Sequence, residues 1–164
     1  MELTKHVLRT EKWGSNLSVH LCEKHYHEFD KWWNPEKFDW KAGSWALAQY
    51  CHTYFDTWWD SEKFNWRDSW ALAKYCNMYF NKWWDPERFN WKSSSGSLAQ
   101  YCHMHFEKWW NKEMFNWENG LRAIAEYCYV HAQVWLPAYI KSANLTKALL
   151  YVNYEALSLE CILD

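Results

Sequence analysis

Hydrophobic and polar positions alternate along this chain with a helical rhythm. Between Ser44 and Trp59, at about 100° per residue, Leu47, Cys51, Tyr54, Phe55 and Trp58 share one arc. Ala48 and Tyr50 sit at its edges, and Gln49, Thr53, Asp56 and Thr57 fall opposite. The arc covers about half the cylinder, which suits a helix packed between two neighbours. The pattern predicts a long helix of about four turns ending near Trp58-Trp59. Ser44, Ser69, Ser97 and Asn119 stand where an N-cap is wanted, because their side chains can accept the first free backbone N–H groups. After the long helix come Asn34, Asp60, Asp85 and Asn111, twice followed by proline (Pro35, Pro86) and then by Glu36, Glu62 and Glu87. Cap, proline and first-turn acid predict a second, short helix through PEKFDW or PERFNW.

These elements recur. Trp32-Trp33, Trp58-Trp59, Trp83-Trp84 and Trp109-Trp110 return every 25 or 26 residues, with Trp135-Leu136 as a degenerate last copy. Cys51, Cys76, Cys102 and Cys128 keep the same spacing, as do Phe38, Phe64, Phe89 and Phe115. The predicted fold class is therefore all-α, a tandem helical-repeat solenoid of about five units, each a long helix plus a short one. The units run at about 13–39, 40–65, 66–90, 91–116 and 117–137, with a C-terminal capping helix over 138–164 carrying Leu145, Leu149, Val152, Ala156 and Leu159. Residues 3–12 are expected to form a short N-terminal helix. All of this is read as a single domain. The architecture resembles helical-repeat solenoids in general. Its period and residues do not match the tetratricopeptide, ankyrin or HEAT patterns, so no family's function carries over.

Composition sharpens the picture at one point. The 164 residues include 16 Trp, 11 Tyr and 8 Phe, while the formal net charge is only −2. Balanced charge argues against a sequence-independent grip on nucleic acid, which needs clustered Lys and Arg. No apolar run reaches the roughly 18 residues that span a bilayer. The opening MELTKHVLRTEKW does not read as a secretory leader, so a cytoplasmic, non-membrane protein is expected.

The aromatic and sulfur residues divide between core and surface. Trp58, Trp83, Trp109 and Trp135 lie at the arc centre and are expected to fill the space between repeats. The second tryptophan of each pair lies at the arc edge, where it either packs or forms an exposed ladder. Cys51, Cys76, Cys102 and Cys128 face the core at equivalent positions. Neighbouring helices about 8–10 Å apart hold such positions too far apart for a disulfide. Free, buried thiols are expected. His20, Cys22, His25 and His27, and Cys102, His103 and His105, have metal-ligand chemistry but no strong ligand spacing, so no metal and no cofactor is expected. No phosphate loop, nucleophile elbow or H-E-x-x-H is present, and acids repeated once per unit are better explained by helix dipoles than by catalysis, so no enzyme activity is expected.

Function, on this reading, lies where copies differ. Trp45, Trp70, Gly96 and Arg122 occupy one register; Gln49, Lys74, Gln100 and Glu126 a second; His52, Asn77, His103 and Tyr129 a third; Asp56, Asn81, Glu107 and Gln133 a fourth. The candidate partner-binding residues are Trp45, Trp70, Arg122, Gln49, Lys74, His52, His103, Tyr129, Asp56 and Glu107. They point to a non-catalytic module or inhibitor that binds a protein partner. The alternative is an aromatic-lined receptor for a small molecule, carbohydrate or single-stranded nucleic acid.

Overall fold

A computed structural model describes residues 13–142. The predicted N-terminal helix over 3–12, and the capping helix beyond residue 142, lie outside the described residues. Within them the chain is all-helical, with no strand. The α-helices are α1 Ser15–His25, α2 Phe29–Trp32, α3 Trp40–Tyr50, α4 Phe55–Trp58, α5 Ser69–Tyr75, α6 Phe80–Trp83, α7 Trp91–Tyr101, α8 Phe106–Trp109, α9 Trp117–Tyr127 and α10 Ala132–Ser142. They fall in two compact units, the first ending at Tyr79 and the second beginning at Phe80. In the first, α1 packs on α3 and α3 on α5; in the second, α7 packs on α9.

The long predicted helix is interrupted. At Cys51 the backbone turns to φ −111° and ψ 20°, and a 3₁₀ turn over His52–Tyr54 leads into α4. The break costs little because its polar groups are met. The Tyr54 amide donates to the Cys51 carbonyl at 2.9 Å, and the Trp58 indole N–H reaches the same oxygen at 2.8 Å. Trp32 treats His25 in the same way, Trp109 Cys102, and Trp135 Cys128. Each of these four tryptophans thus fills the core and satisfies the carbonyl exposed by the bend.

Two expectations are corrected here. Ser44 and Ser69 are not N-caps; they lie within or at the start of their helices and are fully buried. Ser97 lies in the middle of α7, and Asn119 is in the first turn of α9. The caps are Asp39, Asn65, Asn90 and Asn116, whose side chains accept from the amides of Ala42, Arg67, Ser93 and Asn119. The second correction concerns the short helix. PEKFDW and its counterparts form turns. Asn34, Asp60, Asp85 and Asn111 do cap, accepting from the amides two and three residues on, but the chain leaves the helical path after one turn. The indoles of Trp40, Trp66 and Trp91 then pin the turn, donating to the carbonyls of Pro35, Ser61 and Pro86.

The buried serines have a different task from capping. Ser44 Oγ donates to the Trp40 carbonyl at 2.6 Å and accepts the Asn65 amide of the next repeat at 2.9 Å. Ser95 repeats both contacts with Trp91 and Asn116, and Ser18 accepts the Asp39 amide. Asparagine caps tie the same joint from the other side. The Nδ2 groups of Asn65 and Asn116 donate to the carbonyls of Lys41 and Lys92 in the preceding repeat. An aspartate could cap but could not make that second bond.

Aromatic rings form the other joint. Tyr54 stacks on Phe29 at 4.7 Å and Tyr79 on Phe55 at 4.5 Å. In the second unit His105 stacks on Phe80 at 4.4 Å and His131 on Phe106 at 4.3 Å. The opposite face of each phenylalanine carries the second tryptophan of the pair, as in Phe55–Trp59 at 5.2 Å. One residue per repeat is therefore sandwiched between its own repeat and the next.

Candidate functional site

Trp58, Trp83, Trp109 and Trp135 are each 1% exposed, and Cys51, Cys76, Cys102 and Cys128 are fully buried and form no disulfide. Burial pushes the Cys102 and Cys128 thiols up to about 12 and the Cys76 thiol higher still, so these three stay protonated and unreactive. Cys76 and Cys128 spend their S–H on the preceding repeat, donating to the Ala48 and Ala99 carbonyls. Trp33, Trp59, Trp84 and Trp110 are half-buried, each with one face stacked on its phenylalanine.

Among the described residues, no group of three His, Cys, Asp or Glu side chains is arranged to hold a metal ion. In the first repeat His20 and His25 lie ring to ring at 5.7 Å, and His25 Nδ1 faces Glu28 at 3.6 Å. No helix among the described residues is long and apolar enough to cross a membrane.

The candidate binding residues separate into three kinds. His52 and His103 are half-buried and work locally. Their Nδ1 atoms lie 3.1 Å from the carbonyls of Gln49 and Gln100, ending the long helices, and Asn77 does the same for Lys74. Trp45 and Trp70 are half-buried and lie edge-on to Tyr50 and Tyr75 at 6.3 and 6.4 Å. Gln49 and Lys74 are half-buried beside them, with the Lys74 ammonium 5.0 Å from the Tyr75 ring centre. The rest are exposed: Asp56, Glu107, Arg122 and Tyr129. Glu107 pairs with His131 at 3.5 Å, and Arg122 with Glu126 at 3.7 Å.

In the second unit the register of Trp45 and Trp70 opens into a groove of about 600 Å³ between α7 and α9. Gly96, Ser97 and Gln100 form one wall, and Arg122, Glu126 and Tyr127 the other. Gln100 Nε2 donates to the Tyr127 hydroxyl at 3.3 Å, and the His103 ring lies along the Tyr127 ring at 6.3 Å. Sequence reasoning placed Gly96, Gln100, Glu126 and Arg122 in rows. It missed Ser97, mistaken for a cap, and Tyr127, which reads as an edge position of the apolar arc. It also missed Met78 and Met104, 74% and 82% exposed on the 3₁₀ turns; their place opposite the arc was the available signal.

No protein-family model matches the chain, and neither a curated protein nor a solved structure gives a significant match.

Proposed function

We propose that the chain is a non-catalytic protein-binding module or inhibitor, and that its repeats continue one another as a helical solenoid. The carrying observation is a contrast within each copy. Through the three middle copies four joint positions keep their residue type: the first tryptophan (Trp58, Trp83, Trp109), the phenylalanine (Phe55, Phe80, Phe106), the cysteine (Cys51, Cys76, Cys102) and the serine (Ser44, Ser69, Ser95), while the end copies depart at His25, Leu121 and Ala132. One register on the outer side of the long helices instead changes chemistry, from Trp45 and Trp70 to Gly96 and Arg122. Repeat arrays keep the joints fixed and vary the face that meets a partner. A half-buried tryptophan is a strong anchor for a protein interface, and arginine is the other residue type enriched at such anchors.

The Cys76, Cys102 and Cys128 thiols support the non-catalytic half of the reading, since burial holds them protonated. The Trp33, Trp59, Trp84 and Trp110 rings already spend one face inside the repeat, which leaves less ring area for sugars or bases and favours a protein partner.

The test is affinity capture with the wild-type chain, Trp45→Ala and Arg122→Ala. A protein recovered in stoichiometric amount with wild type and lost with either variant supports the reading. Recovery of no protein, or of one held equally by all three chains, overturns the assignment of this face.

A further inference from the structure

We propose that the groove between α7 and α9 receives an aromatic side chain, an indole or a phenol, presented by a protein partner. The inference rests on the protein-binding reading and names what that partner inserts.

The repeat itself supplies the template. In the second and third copies this register carries the chain's own indoles, Trp45 and Trp70, each lying against the tyrosine five residues on. In the fourth copy Gly96 supplies no ring, and in the fifth Arg122 points a flexible cation outward, its side chain 82% exposed. The ring that fills this register elsewhere is therefore missing from the groove.

Gly96 also shapes the floor. A Cβ added there would lie 2.7 Å from the Asn119 carbonyl oxygen, too close for any other residue without displacing backbone. Glycine lets the first turn of α9 approach α7, and the Asn119 side chain closes the joint by donating to the Lys92 carbonyl at 2.5 Å. Above that contact the helices leave the open volume lined by Ser97, Gln100 and Tyr127.

The walls suit a flat, neutral guest with a polar edge. The Tyr127 ring is held by Gln100 and His103 before anything binds. Arg122 and Glu126 bring opposite charges 3.7 Å apart, so the rim favours neither a phosphate nor an ammonium. The Arg122 guanidinium can lie over a bound ring face. Serine and glutamine groups on α7 can meet an indole N–H or a phenol O–H.

The experiment titrates the ¹⁵N-labelled full chain with N-acetyl-tryptophanamide, with N-acetyl-leucinamide as control. The expected result is shifts of the Gly96, Ser97, Gln100 and Tyr127 amides with the tryptophan probe and not with the leucine probe. Ala123 also lines the groove, so Ala123→Trp, which puts a ring into it, is expected to remove them. Arg122→Ala, exposed and harmless to folding, should weaken the probe about two- to five-fold. Silence of these amides, equal shifts with both probes, or titration unaltered in both variants overturns the proposal. A captured partner that binds Ala123→Trp and Arg122→Ala as tightly as wild type also overturns it, while leaving the protein-binding reading in place.

Discussion

Ser44→Ala removes one oxygen and tests how repeats are joined. The hydroxyl is fully buried and holds two bonds, to the Trp40 carbonyl at 2.6 Å and from the Asn65 amide at 2.9 Å. The Trp40 carbonyl lies within the helical ladder of α3 and keeps its ladder partner. The Asn65 amide is the first donor of the next repeat and loses its acceptor. A partly buried orphaned donor costs about 1–3 kcal/mol. Alanine recovers about 0.5 kcal/mol of helix propensity over serine, and no cavity forms because the side-chain volumes are similar. The net expectation is a loss of about 1–2 kcal/mol. In a urea titration followed by far-UV circular dichroism, with a slope of about 2 kcal/mol per molar, the midpoint falls by about 0.5–1 M. Ser95→Ala should cost the same in the second unit, since Ser95 makes the same two bonds. Asp39→Ala should cost about 1 kcal/mol by loss of its cap. An unchanged midpoint for Ser44→Ala, together with a harmless Asp39→Ala, would refute this account of the joint.

Trp58→Ala empties a site 1% exposed and strips the Cys51 carbonyl of its indole donor, so a loss of about 3–5 kcal/mol is expected in the same titration. Trp45→Ala, half-buried against Tyr50, should cost no more than about 1.5 kcal/mol, and a larger loss than Trp58→Ala would invert the assignment of faces. His105 stacks on Phe80 with its pKa held below the ordinary value, first by burial and then by Lys108. A depressed histidine pKa means the unfolded chain binds the proton more readily. Its penalty is absent well above about pH 6.5 and grows as pH falls through that value towards the folded pKa. His105→Tyr, which copies Tyr54 and Tyr79, should therefore raise the melting temperature more at pH 5.5 than at pH 8, and an equal gain at both would refute the cause.

The helical class and the inward residues were legible because tryptophan, phenylalanine and cysteine recur at one phase of the helix. The interruption at Cys51 was not. A 3₁₀ turn of three residues shifts that phase so little that Leu47, Cys51, Phe55 and Trp58 still read as one arc, and all four are buried. The caps were misplaced because serine, asparagine and aspartate share the capping chemistry. Only the tertiary contact between Ser44 and Asn65 shows which of two eligible residues is spent on the next repeat. Cap, proline and acid likewise mark both a helix start and a tight turn, and Phe38 and Phe64 settle it by turning inward to the core. The candidate face was legible as a set of changing positions. The groove at Gly96 was not, because it depends on how closely α9 approaches a missing Cβ.

Site-specific photo-crosslinking in the native cell tests the central claim most directly. A crosslinker is placed at Gln49, Gln100 or Arg122 on the long helices, and separately at Glu36, Glu62 or Glu87 on the turns. The account predicts one shared protein adduct from the long-helix positions and none from the turns. The same adduct from both sets, or from the turns alone, would contradict it.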